Sequence, residues 1–315
     1  MKIKTIILYI VLVIVIVYAV SNSIRFSRDI GTARERLRGI DSQVLKTEYG
    51  DIEYRLAGEG DETVLISHGI TGGVDQGEGL AGTYMNGGYR FLYVSRFGYL
   101  GSGMPGDATP RMQADAYDAL LTHLGIESVY ILGNSAGGTA AFHFALDHGD
   151  RCEGLILLSS NMPQTNEVLP PEPVIKAIFG SDFMYWWTVQ SFDTMLFKMF
   201  MDSSLLARMS REDRRRLRDT VLMPGLPITE RSDGVFYDMF VSNPSLTASP
   251  IRYEDIAAPT LILHAADDPG IPVESARGVA EKIDGAVLKV FDEGGHLFVG
   301  HEEEIRTAID GFIRH

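Results

Sequence analysis

The chain has 315 residues, 45% of them apolar, enough to bury one large core and close to the length at which a second unit begins to separate. A formal charge of −14, from 42 acidic against 28 basic residues, leaves no broad basic surface for nucleic acid. Cys152 is the only cysteine, which excludes an intrachain disulfide and a cysteine-rich metal site.

Residues Ile6 to Val20 carry no charge and follow Lys2 and Lys4, the pattern of a transmembrane helix or of a signal-peptide core. Counted from Ile3 the stretch is about 18 residues, at the low end of what spans a bilayer, and longer and richer in Ile and Val than a cleavable core. The expectation is an uncleaved single-pass anchor over residues 1–22, with a cleaved signal at Ala19 and Ser21 and export as the alternative. Arg25, Arg28, Arg34, Arg36 and Arg38 follow the segment, so the positive-inside rule leans towards a cytoplasmic domain. Residues 23–43 are polar and read as a juxtamembrane linker or helix. Removing residues 1–42 is therefore expected to leave a folded, active domain.

From residue 44 short strands and helices alternate. The stretch 44–58 alternates apolar and polar residues around Gly50-Asp51, which predicts a β-hairpin. TVLISHG (63–69) and FLYVSR (91–96) are compact apolar runs, as buried parallel strands are. Thr109-Pro110 is an N-cap followed by proline at the first helical position, Ala114, Tyr117, Leu120, Leu121 and Leu124 follow at helical spacing, and Gly125 closes the helix. Runs at 128–135, 154–160, 260–268 and 286–295 predict four more strands, and Ile305, Ala308, Ile309, Phe312 and Ile313 mark a last helix. The fold class is therefore α/β with a doubly wound, mostly parallel sheet over 44–160 and 250–315. Residues 161–249 show helical patterns and no convincing strand, which predicts a helical cap inserted between two core strands. The run REDRRRLRD (211–219) within it reads as a solvated helix face.

Gly133-Asn134-Ser135-Ala136-Gly137-Gly138 lies where a strand must turn sharply into a helix. On such a turn neighbours without Cβ atoms let strand and helix approach, the Ser135 hydroxyl stands exposed, and the Ala136 N–H points towards a developing oxyanion. A serine needs a base, and the base needs a carboxylate behind it. His296 follows Gly294-Gly295 on a loop after a strand, and its nearest rival, His301, reads as the start of an acidic helix. His123, His143 and His148 lie in or at the ends of helices. Asp267 and Asp268 both end a strand between the serine and the histidine. The loop His68-Gly69-Ile70-Thr71-Gly72-Gly73 would supply a second oxyanion donor from the Ile70 N–H, with His68 as a structural residue of that loop.

Over residues 45 to 315 these segments resemble the α/β-hydrolase family: HGITGG its oxyanion loop, GNSAGG its nucleophile elbow and DEGGHLF its histidine loop. The resemblance implies the order Ser135, Asp268, His296, because the family's acid commonly stands in H-G-x-x-D-x-x-x-P and His264 to Pro272 matches that register with Ala265 in place of glycine. SRFGYLGSG (95–103) is similar to the family's D-x-R-G-x-G-x-S, with Ser95 where aspartate is common. Within it Arg96 is either a buried anchor or a substrate-binding cation. A serine nucleophile implies a serine hydrolase, esterase- or lipase-like, that takes a small-molecule acyl substrate and needs neither metal nor organic cofactor. The first expectation is cleavage of a carboxylic ester with a lipophilic acyl group. Carbon–carbon bond hydrolysis by the same triad, and a non-catalytic binding protein on the same fold, are the alternatives. Oligomeric state is not readable from the sequence.

Overall fold

A computed structural model describes residues 2–164 and 170–314. Among these the chain forms an eight-stranded sheet from β1 (Gln43–Thr47), β2 (Gly50–Ala57), β3 (Thr63–Ser67), β4 (Arg90–Val94), β5 (Val129–Asn134), β6 (Cys152–Leu158), β7 (Thr260–Ala265) and β8 (Val287–Phe291). Their spatial order is β1-β2-β4-β3-β5-β6-β7-β8. β2 runs antiparallel to β1 and β4, and every other neighbouring pair is parallel. The central strands are apolar without alternation because both faces are covered: all of TVLIS in β3 and TLILHA in β7 is buried.

α1 (Lys2–Arg38) precedes the sheet, and α2 (Val74–Tyr84), α3 (Pro110–Leu124) and α4 (Gly137–Asp147) follow β3, β4 and β5. Thr109 caps α3 by accepting from the Met112 N–H, and Gly125 ends it in the left-handed region at φ 65°. α2 gave no sequence signal, since Gly77, Gly79 and Gly82 dilute its helical pattern. Gly77 packs against Tyr93 of β4, where there is little room for a side chain. One face of the sheet is covered by α3, α4 and α11 (Val273–Ala280, numbered after the cap helices below), through Tyr117, Phe142 and Val279. The other is covered by α2 and α12 (Glu302–Ile313), through Tyr84, Ile305 and Ile309.

Between β6 and β7 lie α5 (Glu172–Phe179), α6 (Asp182–Phe197), α7 (Ser203–Arg208), α8 (Arg211–Leu217), α9 (Ser232–Tyr237) and α10 (Asn243–Ala248). They build a third apolar cluster around Trp186, Phe197 and Leu226. Residues 165–169 of the segment read as a cap lie outside the described residues.

The amino-terminal segment departs from the expected linker. α1 is one helix of 37 residues, with no break at residue 22 and no linker before Gly39. Residues 3–21 of it are exposed, whereas Ile30 and Ala33 are buried in the cap cluster. Phe26 packs edge-on against Phe183 and Trp186, the Trp186 indole donates to Asp29 at 2.9 Å, and Arg36 donates to the carbonyls of Pro224 and Leu226. The apolar partners lie far along the chain, so the local polarity of residues 23–38 gave no sign of this packing.

This packing argues against the expectation that residues 1–42 are dispensable. Burial of Ile30 alone contributes about 1.5–3 kcal/mol. A chain starting at residue 21 should keep the thermal midpoint and turnover of the full chain, and one starting at residue 43 should lose several degrees and most of its activity. Equal midpoints in a thermal melt of the two would show that this packing contributes nothing.

Candidate active site

The loops after β3, β5, β7 and β8 meet at the carboxyl ends of their strands, where open α/β sheets bind ligands. Ser135 directly follows β5 with φ 49°, a left-handed conformation that is strained for a serine by about 1–3 kcal/mol. The turn is over-determined by its neighbours. The Ser135 N–H donates to the Leu158 carbonyl, and the Ser135 carbonyl accepts from Gly138 at 3.0 Å and Asn161 at 2.8 Å. Gly137 has no alternative here, because a Cβ would stand 2.1 Å from the Ser67 carbonyl oxygen. Thr71 and Phe298, in the loops after β3 and β8, also have positive φ.

His296 Nε2 lies 2.9 Å from Ser135 Oγ, and His296 Nδ1 lies 2.7 Å from Asp268 Oδ2. The Nδ1–H therefore donates to the carboxylate, leaving Nε2 as acceptor for the serine hydroxyl. The other oxygen, Asp268 Oδ1, accepts from the N–H groups of Gly270 and Ile271 at 2.8 and 3.2 Å. Burial pushes the Asp268 carboxyl up, but His296, His264 and the Gly270 N–H outweigh it and hold it below the usual carboxylate range. Burial pushes the His296 imidazole down, and the Asp268 charge reverses this, so its pKa is raised. The His296 N–H donates to the Phe200 carbonyl of the cap at 2.7 Å, which ties this loop to the cap.

Asp267 has a different place. Its carboxylate accepts from the N–H groups of Gly295 at 2.7 Å and Gly294 at 3.3 Å, gripping the histidine loop. His301 pairs with Glu304 at 2.9 Å at the start of α12, and His143 and His148 pair with Asp147 and Asp115 away from Ser135. The N–H groups of Ile70 and Ala136, read from the sequence as oxyanion donors, have no acceptor among the described residues. Gly69 keeps the two loops together: a Cβ on it would meet Ser135 Cβ at 3.2 Å.

Arg96 is not at the cavity, and its reading as a substrate-binding cation is corrected. It is 2% exposed, its guanidinium donates to both oxygens of Asp238 in the cap, and its Nε donates to the His68 carbonyl at 2.8 Å. The Tyr99 hydroxyl also donates to Asp238. His68 Nδ1 faces the Gly69 carbonyl at 2.7 Å and must carry the proton, while Nε2 accepts from the Arg96 N–H at 3.0 Å. Burial, then the Arg96 charge, push this imidazole well down, so it stays neutral and holds the loop.

A second buried ion group had no sequence signal. Arg231, fully buried in the cap, donates to the Gly72 carbonyl and to Asp75 at the start of α2, and Arg36 of α1 donates to the same Asp75. Burial raises the Asp75 carboxyl, but Arg231 and Arg36 together lower it to about 2. These three residues are 39 to 195 positions apart in pairs, and nothing local in the sequence connects them.

Ser135, His296, Ile70 and Asn134 line a cavity of about 980 Å³. Its cap wall is largely apolar, with Phe200, Leu205, Leu217, Val221 and Leu222. Arg208 and Arg216 bring cations to it; Arg208 is paired with Glu293 at 2.5 Å, whereas Arg216 has no carboxylate partner among the described residues. The run expected to be only a solvated face thus contributes Asp213, Arg216 and Leu217 to the cavity. Among the described residues no cluster of three or more metal-ligating side chains occurs.

The alpha/beta hydrolase fold family matches this chain over residues 62–302. A 2-hydroxy-6-oxononadienedioate/2-hydroxy-6-oxononatrienedioate hydrolase of Paraburkholderia xenovorans is 28% identical, over 87% of this chain and 96% of that one. A 2-hydroxy-6-oxo-6-phenylhexa-2,4-dienoate hydrolase of Comamonas testosteroni is 27% identical, over 84% of this chain and 91% of its own length. Among solved structures, an alpha/beta hydrolase fold protein from Nakamurella multipartita superposes with a TM-score of 0.68 at 24% identity, covering 87% of this chain and 99% of that one.

The two aspartates should separate by experiment. Asp268→Asn should cost about 10⁴-fold in turnover, as loss of a tautomer-fixing carboxylate does in comparable triads. Asp267→Asn, which keeps one carbonyl acceptor for the loop, should cost far less; the reverse order would exchange their roles. Because the raised pKa belongs to a group that must be neutral to accept a proton, kcat/KM should fall on acidification from above the ordinary imidazole value of about 6.5. The residual activity of Asp268→Asn should have this acid limb at lower pH, and an unmoved limb would detach it from the His296–Asp268 pair.

Proposed function

The chain belongs to the α/β-hydrolase fold family and is a hydrolase, and from that premise we propose that Ser135 is its nucleophile and that it cleaves a carbon–carbon bond beside a ketone. His296 is the base, Asp268 orients it, and the N–H groups of Ile70 and Ala136 hold the oxyanion. The observation that carries the mechanism is the contact of His296 Nε2 with Ser135 Oγ, at the wall of the cavity and beside two unengaged N–H donors. The bond type draws its support from the curated relatives, whose names specify 2-hydroxy-6-oxo-dienoates and which align over most of this chain.

The chemistry is consistent with that substrate class. Ser135 Oγ adds to the C6 carbonyl and its proton passes to His296 Nε2. The resulting alkoxide is stabilised by the two N–H groups; loss of one such donor costs roughly 3–4 kcal/mol in a comparable site. Collapse breaks the C5–C6 bond, and the electron pair left on C5 needs a sink. In the 2-keto tautomer the C3–C4 double bond conjugates C5 with the C2 carbonyl, which supplies one. His296 then returns the proton to the departing fragment, and water activated by the same imidazole hydrolyses the acyl-serine. Arg216 is placed to pair with a substrate carboxylate at the cavity.

Ester hydrolysis by the same residues is the second reading, favoured by the apolar cap wall, which suits an acyl chain. We further read α1 as an uncleaved membrane anchor. It is long and apolar enough to cross a membrane, its apolar window is exposed throughout, and its continuation beyond residue 22 is built into the cap. The catalytic domain lies on the cytoplasmic side in this reading, in line with the five arginines that follow the apolar stretch.

The full chain incubated with 2-hydroxy-6-oxo-6-phenylhexa-2,4-dienoate should bleach the dienol absorbance and release benzoate with a five-carbon 2-hydroxydienoate. Ser135→Ala should abolish this and labelling by a fluorophosphonate. Turnover of p-nitrophenyl esters with no bleaching of the dienol would place the ester reading first.

A further inference from the structure

Beyond a break in its helical geometry at Phe192, the carboxyl-terminal part of α6 and the turn after it expose apolar side chains that the cap cluster does not use: Phe192 is 44% exposed, Met195 56% and Met199 45%. A helix that served only to roof the cavity would turn polar residues outward. Exposed large apolar side chains grouped within residues 192–199 in this way mark a contact with something else.

The contact with α1 indicates what that is. The exposed apolar stretch from Ile3 to Val20 is about 27 Å long at 1.5 Å per residue, and Tyr18 lies in its last turn. The indole Nε1 of Trp187 in α6 donates to the Tyr18 hydroxyl at 3.4 Å, and the Phe192 ring stands edge-on to Trp187 at 5.4 Å. With α1 across a bilayer, the Tyr18–Trp187 pair stands at the boundary between hydrocarbon and headgroups. Tyrosine and tryptophan favour that level, because each has an apolar body and a polar tip. The part of α6 that carries Phe192 and Met195 thus meets α1 at the end of its exposed apolar stretch.

We propose that the exposed face of α6 is a membrane-contacting surface, seated in the headgroup and upper acyl region of the leaflet from which α1 emerges. This rests on the reading of α1 as an anchor. The charges near the face suit the position: Lys198 can extend its ammonium group to the headgroups, and the Asp193 carboxylate is turned back onto the backbone of Thr194. The cap is thus held at the membrane from two sides, by the Phe26, Asp29 and Arg36 contacts to α1 and by its own apolar face. The occupant is a phospholipid leaflet; a second copy of the chain is the competing one.

Spin labels decide between them. Cys152 is buried, so a cysteine introduced at an exposed position is labelled selectively. Met195→Cys and, separately, Phe192→Cys are placed in the full chain, reconstituted in vesicles of phosphatidylcholine and phosphatidylglycerol. Val13→Cys in α1 and Val287→Cys on the distant edge strand β8 serve as references. Relaxation by oxygen relative to a water-soluble nickel chelate should be severalfold higher at residues 192 and 195 than at 287, approaching the ratio at 13. Ratios at 192 and 195 equal to that at 287, with a lipid ratio at 13, would overturn the proposal and leave the anchor intact. An aqueous ratio at 13 would remove the anchor and the proposal with it. Shielding of 195 from both reagents, with dipolar broadening between chains, would assign the face to a second copy. Neither substitution touches the cavity, so turnover by both variants should match the parent chain and establishes that they are folded.

Discussion

The buried ion pair of Arg96 with Asp238 is the contact on which the rest of the site's construction depends. Both side chains are almost fully excluded from solvent, so removing either would leave an uncompensated charge, a loss of about 3–5 kcal/mol in comparable buried pairs. Arg96 follows β4, and Asp238 belongs to the cap; their union docks the cap on the sheet. The same arginine meets His68 twice, through its N–H and its Nε, and thereby sets the loop that carries the Ile70 N–H. Cap position and loop geometry are one constraint.

The group of Arg231, Asp75 and Arg36 repeats this arrangement on the other side of the loop. Arg231 comes from the cap, Asp75 from the core and Arg36 from the amino-terminal helix, and Arg231 also donates to the Gly72 carbonyl. Three parts of the chain that have no reason to fold together by local preference are joined by one carboxylate. The amino-terminal helix is therefore a structural part of the domain as well as a segment able to cross a membrane. Its outer half faces away from the protein, and its inner half closes the junction of cap and core.

Ser135, His296 and Asp268 occupy the rigid centre of this frame. The serine is strained, and the strain is opposed by backbone hydrogen bonds to β6 and to the start of α4. The histidine is positioned from three directions: by Asp268 at Nδ1, by the Phe200 carbonyl at its N–H, and by Asp267 through the two glycines before it. For the reaction we propose, a site so held would need little reorganisation as charge develops. The cavity beside the serine is walled by apolar cap residues, with Arg216 also on its lining.

Much of this was legible in the sequence, for identifiable reasons. Buried parallel strands are unbroken apolar runs, so β3, β5, β6 and β7 announce themselves, and the strand-helix alternation implies the doubly wound sheet. The elbow around Ser135 is legible because its glycines are demanded by contacts of the backbone with itself. Asp267 and Asp268, both just past β7, could not be told apart by residue type; only the family register singled out Asp268, and the fold turns it to Nδ1 and Asp267 to the Gly294 and Gly295 amides. Arg96 carried two readings for the same reason: an arginine at a strand end is a cation in either, and its burial is decided by where the cap falls. Tertiary structure alone decided that α2 is a helix despite three glycines, that α1 continues through the expected linker, and that Arg36, Asp75 and Arg231 meet. Sequence patterning records what a residue's own backbone and its near neighbours require; these last features are satisfied by partners tens to hundreds of residues away, and leave no local trace.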